Sequence, residues 1–541
     1  MERRGVISRA EWRWLIAWIV IALIVTSVPY IIGAARSTPD RVFGGMVIAI
    51  EDGYSYLAKM NQGAHGAWLF TLPYTSEPHT PTLVYLHYRL LGKAAALFNL
   101  PLAVAFHLAR LAANALLLAV VYGFVAQHTA ARAVRKVAWL IVAFSGGVGW
   151  LLLLTGQPNW LGSYPIDLIS PEAFTFLSMY AFPHITLAQM FLLLGFRLLW
   201  SPRSRPFWAG VCWFVMGILV PLDVGVVYAI VAASVIAISI ERRRLAGDEV
   251  RRAIGPVLLI APIVIYGFVM FTFDPILAEW YAQGVMLSPS PLHYVAAYLL
   301  VGGLAVIGLR AKPTAEPRDS RLLAWLVIVP VMAFSPFSFQ RRLIEGWQIP
   351  LSLFAAIGLV YRVLPAWRHS RVVGRLTRHR RYSGRGLRRW ALAALMLVLF
   401  ATYALLLSEQ STRMLAQLPP SFRDGGEVVA LDWLGQRATS ADVVLSSYET
   451  GNFLPTRVGA HVFLGHGPET AYSEQKRVLV KQFYATDTSA EARQAFLRDW
   501  SITYVFYGPL EKRLGQIDLS ELGNLERVYE QGDYQIYRVR R

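Results

Sequence analysis

Eleven stretches of this chain are each apolar for about the length that a bilayer crossing needs, and nothing else in the sequence limits its fold so tightly. They are residues 14–34, 102–127, 137–155, 184–200, 206–221, 222–240, 253–273, 292–309, 322–338, 349–365 and 390–408. Hydrocarbon offers no water to a backbone N–H or C=O, so such stretches must close their own hydrogen bonds and read as helices. Composition agrees: 55% of the 541 residues are hydrophobic and 16% are charged, a balance beyond what a soluble core requires. The first stretch follows MERRGVISRAEWR and is long enough to span, so it reads as an uncleaved signal anchor. The expectation is an α-helical polytopic membrane protein over residues 1–408, followed by a different kind of chain from 409 to 541.

Charge placement orients these spans. The segment 82–98 (TLVYLHYRLLGKAAALF) carries His87, Arg89 and Lys93 and is apolar on one face only, so it reads as an interfacial helix. With the N-terminus cytoplasmic and 82–98 not crossing, the basic loops 128–136, 197–205, 241–252, 310–321 and 361–389 all fall on the cytoplasmic side, as the positive-inside rule requires. Counting 82–98 as a span sends most of them to the wrong face. The same assignment puts 35–101, 156–183, 274–291, 339–348 and the region from 409 onward outside. No N-x-[ST] sequon occurs, and a bacterial plasma membrane fits best. The net charge of +18 belongs mostly to the basic loops. The densest, 361–390, holds ten arginines and no acid, which points to topology and anionic lipid headgroups rather than nucleic acid. The single cysteine, Cys212, excludes an intrachain disulfide or a cysteine metal cluster.

The outer segments hold the chemistry-bearing side chains. EDGYSYLAKMNQG, 51–63, places Glu51, Asp52, Tyr54 and Lys59 just beyond the first span, and Glu77 and His79 follow in the same loop. The second outer segment has Asp167, Glu172 and His184; FDPILAEW brings Asp274 and Glu279; SFQRRLIEGWQIP brings Arg341, Arg342 and Glu345. Within the second span His107, Arg110 and Asn114 fall at i, i+3, i+7, a polar stripe that lipid does not tolerate and that should line a cavity. Taken singly each has an ordinary use: a solvated loop pair for the acids, a snorkelling anchor for the arginines, a helix start for His184. Their gathering on one membrane face argues for a shared site. An arginine pair offers fixed, always-protonated forks for phosphate, and a carboxylate at the water interface can take a proton from a hydroxyl. A sugar carried on a polyprenyl phosphate suits that set, because its leaving phosphate needs positive charge and no general acid.

These features carry a family resemblance. The acid pair in the first outer loop, the proline-led start of the interfacial segment (HTPTLVYL, 79–86) and the arginine early in the second span (HLARL, 107–111) resemble the GT-C superfamily of integral-membrane glycosyltransferases. Within it the chain looks like the bacterial protein O-mannosyltransferase and lipid A aminoarabinose transferase branch. PEAFTFLSMYAFPH and FQRRLIEGWQIP look like later outer loops of bacterial members. The resemblance covers roughly 1–408. It implies hexosyl or pentosyl transfer from a lipid-phosphate sugar, usually with inversion, to an extracytoplasmic glycan, lipid or protein. Glu51 and Asp52 would be base and positioner, Arg341, Arg342 and Arg110 would bind the donor phosphate, and Tyr54, His79, His107, Asp167, Glu172, His184, Asp274 and Glu345 would line the cavity. The chain reads Glu51-Asp52 where many relatives read Asp-Glu or Asp-X-Asp, so either acid can be the base. It has EPHTPT at 77–82 where an HPP-type dipeptide is common. Some branches use a divalent ion; the acids here permit one and specify none.

From about 410 the runs VVLSSY (443–448), HVFLGH (461–466), ITYVFYG (502–508) and YQIYRV (534–539) alternate with helical patterns at 427–437, 468–484 and 489–500, which predicts a small extracytoplasmic α/β domain. The stretch 447–470 is rich in Gly, His and acids and reads as turns closing strands or as an acceptor contact; His461, His466 and Glu469 lack metal-site spacing. No dinucleotide or Walker motif appears, and SGGVGW, 145–150, reads as small residues for helix packing. Two other classes stay open. A lipid or solute transporter would show repeated halves and midplane charges, whereas here the acids sit in outer loops. A membrane-anchored binding or assembly protein explains the C-terminal region and leaves the acid pair idle.

Overall fold

The structure, a computed structural model, describes residues 5–311, 319–378 and 383–540; parts of the basic loops 310–321 and 361–389 lie outside the described residues. Seven helices are long and apolar enough to cross a membrane: Leu102–His128, Arg132–Leu154, Asp223–Arg242, Gly247–Phe273, Pro291–Ala311, Gln340–Arg368 and Gly384–Leu415. An eighth is added if Arg9–Val25 and Val28–Ala35, bent by 44°, count as one span. Three further apolar stretches form helices of only 17, 14 and 13 residues, Pro183–Leu199, Pro206–Leu219 and Ser320–Met332. At 1.5 Å per residue these reach roughly 20–25 Å against a hydrocarbon core of about 30 Å. The count of eleven therefore exceeds what helix length alone supports. Pro183 and Pro206 set the starts of the first two of these helices, and the third ends at Met332, inside the run 322–338. The ambiguous segment 82–98 contains a 12-residue helix, Leu86–Leu97, which is too short to span.

The chain forms two compact units. One comprises Met1–Val28, Ala109–Ile265 and Met286–Glu409. Its helices approach closely where glycine permits. A Cβ on Gly308 would lie 1.9 Å from the Phe354 carbonyl oxygen, and one on Gly358 would lie 2.2 Å from that of Leu304, so Pro291–Ala311 and Gln348–Gly358 pack backbone to backbone. Broken helices in this unit have their polar ends filled. Helix Thr175–Ala181 stops before Pro183, which has no N–H to give the carbonyl of Met179 four residues earlier. Arg110 Nη1 and Asn114 Nδ2 donate to that carbonyl instead, at 3.1 and 2.9 Å. SGGVGW is likewise a turn and not a packing stripe alone: the Gly147 and Gly149 N–H groups donate to Asp167 Oδ2 at 2.9 and 3.1 Å.

The second unit comprises Pro29–Leu108, Tyr266–Val285 and Gln410–Arg541, so C-terminal chain folds together with the end of the first apolar stretch and the residues after it. Two short strands, β1 (Arg41–Phe43) and β2 (Phe422–Asp424), pair antiparallel. Five more, β3 (Val443–Leu445), β4 (His461–Val462), β5 (Tyr504–Tyr507), β6 (Leu525–Gln531) and β7 (Tyr534–Val539), form a sheet in the order β4-β3-β5-β7-β6. β3 runs parallel to β4 and β5, while β7 is antiparallel to β5 and β6. Four of these strands lie within the β-rich runs and three helices, Gly425–Gly435, Ser473–Tyr484 and Ala490–Asp499, lie on the helical patterns. Leu445, Phe463, Phe483, Tyr484, Val505 and Tyr537 form the core between them. β1, β2 and β6 escape the sequence pattern because they are too short or too polar: β6 reads LERVYEQ and leaves Glu526, Arg527, Glu530 and Gln531 in solvent.

The glycine contacts make a stability prediction. Gly308→Val should lower unfolding free energy by about 1–3 kcal/mol, the usual cost of overpacking. Gly303→Val on the same helix, where an added Cβ meets nothing within 4 Å, should leave it nearly unchanged. Equal denaturant midpoints for the two variants in detergent would show that the close approach is not real.

Candidate active site

The two acids that open EDGYSYLAKMNQG occupy the first turn of helix Ile50–Ala64, where the N-terminal end of the helix dipole favours negative charge. Beyond that turn the helix is buried from Gly53 through Asn61. It packs tightly on Leu86–Leu97, because Gly92 carries no Cβ to meet the Met60 carbonyl oxygen, which would lie 1.9 Å away. Glu51 and Asp52 are thereby the exposed end of a rigid rod.

Residues far along the chain meet that end. Tyr448 donates from its hydroxyl to Glu51 Oε2 at 2.8 Å and accepts the Gly467 N–H at 3.2 Å. His466 places Nε2 3.1 Å from Asp52 Oδ1, with its side chain 7% exposed and that of Asp52 47% exposed. The His466 carbonyl accepts the Glu469 and Thr470 N–H groups in a tight turn, which brings Glu469 Oε1 to 3.8 Å from the ring's Nδ1. Glu469 in turn accepts from Lys59 Nζ at 2.7 Å and from the Ser55 hydroxyl at 2.7 Å. Lys59, which also bonds the Ser55 hydroxyl, is fully buried and lies 4.5 Å from the ring centre of Tyr85. Acidic and basic side chains thus alternate along Asp52, His466, Glu469 and Lys59. Burial pushes the His466 pKa down, and the hydrogen bond with Asp52 and the charges of Glu469 and Asp52 outweigh it, so the ring is held above its ordinary value. Burial pulls Lys59 below its ordinary value, against the opposing charge of Glu469.

The other residues singled out in this unit have structural duties. His79 accepts the Leu72 N–H on Nε2 at 2.8 Å and lies 2.8 Å from the Glu77 carbonyl through Nδ1, so both ring nitrogens are engaged by backbone. Asp274 caps helix Pro275–Gln283, accepting from Ile276 and Leu277 N–H groups at 3.0 Å each and from Thr80 at 2.6 Å. Burial raises its pKa, and these backbone donors prevail to hold it below the ordinary value. Tyr54 is buried and donates to the Pro420 carbonyl at 2.7 Å. His107 Nε2 lies 2.8 Å from the Gly45 carbonyl, and its ring centre is 4.5 Å from that of Tyr30.

In the first unit, Arg110 is 1% exposed and donates to the carbonyls of Thr26 and Met179 and to the Ser27 hydroxyl, at 3.1–3.2 Å. Its charge serves backbone oxygens left over at helix breaks. Asp167 binds the Gly147–Gly149 turn and accepts the Thr402 hydroxyl at 2.8 Å; burial holds its pKa above the ordinary value in spite of these donors. Glu172, Glu345 and Arg342 do come together: Arg342 Nε lies 3.4 Å from Glu172 Oε1, and Glu345 interacts electrostatically with Glu172 and with Asp223, an acid the sequence reading passed over. Arg341 anchors its segment through its own N–H to the Met286 carbonyl at 3.1 Å. His184 is buried at the start of its helix, 5.7 Å from Phe182 between ring centres.

The residue of this group that sequence reasoning missed is Tyr448, with His466 and Glu469 noticed only for lacking metal-site spacing. The available signal was the Gly, His and acid content of 447–470. Its destination was not readable, because His466 meets Asp52 across 414 positions. Among the described residues no group of three or more His, Cys, Asp or Glu side chains is arranged to hold a metal ion. The first-turn acids instead face an imidazole and a phenol, a donor set that does not form a divalent-ion cage.

No family model matches the sequence and no curated protein matches it. Solved structures do match. The oligosaccharyltransferase of Archaeoglobus fulgidus, crystallised tethered to an acceptor peptide, matches over 92% of this chain and 69% of its own, with a TM-score of 0.51 at 12% identity. The arabinofuranosyltransferase AftD from mycobacteria matches over all of this chain and 41% of its own, at 0.55 and 15%. ArnT from Cupriavidus metallidurans, in the apo state, matches over 98% of both chains, at 0.51 and 14%. All three are GT-C glycosyltransferases, and the fold of this chain is theirs, as its sequence resemblance implied.

Proposed function

We propose that this chain is a membrane glycosyltransferase that moves a sugar from a polyprenyl-phosphate donor to an extracytoplasmic acceptor. The observation that carries the reading is the acid pair at the head of helix Ile50–Ala64, buttressed by His466 and Tyr448 in a chain of GT-C fold. A lipid-phosphate donor is supported by the Archaeoglobus enzyme, which has been solved with an inhibitory peptide and a dolichol-phosphate. The acceptor oxygen attacks the anomeric carbon while the bond from that carbon to the phosphate oxygen breaks and leaves its electron pair on polyprenyl phosphate. A carboxylate of the pair takes the acceptor proton. One displacement inverts the anomeric centre. Arg341 and Arg342 are the proposed phosphate ligands, since a guanidinium presents paired donors to phosphate oxygens.

Purified protein incubated with a panel of polyprenyl-phosphate sugars should release polyprenyl phosphate from at least one. Glu51→Gln or Asp52→Asn should lower turnover about 100-fold or more, the scale of losing a general base, while donor binding stays near normal. Transfer at the wild-type rate by both amide variants would remove the chemical centre of this reading.

Arg341→Ala and Arg342→Ala should each weaken donor use by about 1.5–3 kcal/mol, and lysine replacements should restore only part of it, keeping charge and losing the fork. Unchanged donor kinetics in both alanine variants would leave the pair as lipid anchors.

We further propose that the N-terminus is cytoplasmic and the region from 409 extracytoplasmic, in a plasma membrane. Cysteines introduced at the exposed positions Trp68 and Glu474 of a Cys212→Ser background should react with an impermeant thiol reagent in intact cells. Labelling of either only after lysis would reverse the arrangement.

A further inference from the structure

The contacts of His466 separate the roles of two acids that sequence alone leaves interchangeable. Its ring stands between two carboxylates, with Nε2 3.1 Å from Asp52 Oδ1 and Nδ1 3.8 Å from Glu469 Oε1. A neutral imidazole presents a lone pair on one nitrogen, which would point at one of the two carboxylates. Only the doubly protonated ring turns an N–H edge toward each, hydrogen-bonded to Asp52 and, at 3.8 Å, within electrostatic range of Glu469 without a hydrogen bond. The groups that face it are Asp52 and Lys59 from helix Ile50–Ala64, Tyr74 from the loop that follows that helix, and Glu469 from its own turn. Two carboxylates against one ammonium leave a negative surplus that the imidazolium cancels. The direction of the His466 pKa, above its ordinary value although the ring is buried, agrees with that count.

Glu51 stands differently. It is exposed and accepts from Tyr448, a neutral phenol whose hydroxyl is itself oriented by the Gly467 N–H. A carboxylate paired with an imidazolium is a weaker base than one bound by a phenol, because the cation stabilises its ionised form.

We propose that His466 is the positioning residue of the acid pair: an imidazolium held between Asp52 and Glu469, it fixes Asp52 as the orienting acid and leaves Glu51 to take the acceptor proton. The inference rests on the glycosyl-transfer reading for the role of Glu51, while the clamp on Asp52 stands by itself. In the reaction the acceptor O–H bond breaks toward a Glu51 carboxylate oxygen as the bond from acceptor oxygen to anomeric carbon forms, and the phosphate departs with the electron pair.

Deuterium exchange at the imidazole C2 position, read by mass spectrometry across pH on the full-length protein in detergent, gives the titration midpoint of His466 without any assay of activity. In the wild type it should lie above the ordinary histidine value of about 6.5. In Asp52→Asn it should fall by about one pH unit or more, and in Glu51→Gln it should stay in place. The same midpoint in the wild type and in Asp52→Asn overturns the clamp. With a donor that the wild type uses, Glu51→Gln should lose about 100-fold in kcat. His466→Asn should lose about tenfold in kcat, with donor KM held within about twofold, because orientation and not binding is lost. Full activity in Glu51→Gln beside a large loss in Asp52→Asn makes Asp52 the base and overturns the assignment. Absence of polyprenyl phosphate release from every donor by the wild type defeats the glycosyl-transfer reading instead, and the His466 titration still decides the clamp.

Discussion

A lysine ammonium with no solvent contact sits about two turns below the acid pair, and the second unit is organised around keeping it paired. Lys59 is fully buried, so its charge needs a partner inside the protein, and Glu469 supplies it at 2.7 Å. Removing one member of such a pair typically costs about 3–5 kcal/mol, because the survivor is left charged and buried. The requirement ties the helix after the first span to a turn more than four hundred residues later. That same turn presents His466 to Asp52, and the neighbouring Tyr448 to Glu51. The bond that secures the fold of this unit is therefore the one that sets the geometry of its acids.

The first unit obeys a related constraint from the backbone. Its apolar helices break at prolines and glycines, and each break leaves carbonyls or N–H groups without an intrahelical partner, which is costly in a medium without water. Arg110 and Asn114 satisfy the Met179 carbonyl that Pro183 cannot, and Asp167 satisfies the N–H groups of Gly147 and Gly149. A charge in the middle of a span is a reasonable functional candidate when only the sequence is known. Here its contacts show a structural task that hydropathy has no means of expressing.

Among the described residues the polar side chains singled out from the sequence have unlike surroundings. His79, Asp274 and Tyr54 hold loops and helix ends in place through backbone bonds. Glu172, Glu345 and Arg342 gather with Asp223 as a cluster in the first unit. Glu51 and Asp52 differ from these in standing at the exposed end of a buried helix with side-chain partners, Tyr448 and His466, from a distant part of the chain.

Local features were legible in advance because they depend on near neighbours in the chain. Apolar run length marked the helices and β-rich runs marked β3, β4, β5 and β7, whereas helix Ile50–Ala64, which opens with the acids of EDGYSYLAKMNQG, lies in what the sequence reads as an outer loop. What tertiary structure alone decided is partnership. Whether an apolar run reaches across a bilayer depends on where proline breaks it, whether a polar strand such as β6 forms depends on the β7 beside it, and whether a histidine is idle or functional depends on what stands opposite. His466 and Asp52 are 414 positions apart, and no periodicity or composition carries information over that distance; only the folded chain, closing a buried ion pair, brings them within 3.1 Å.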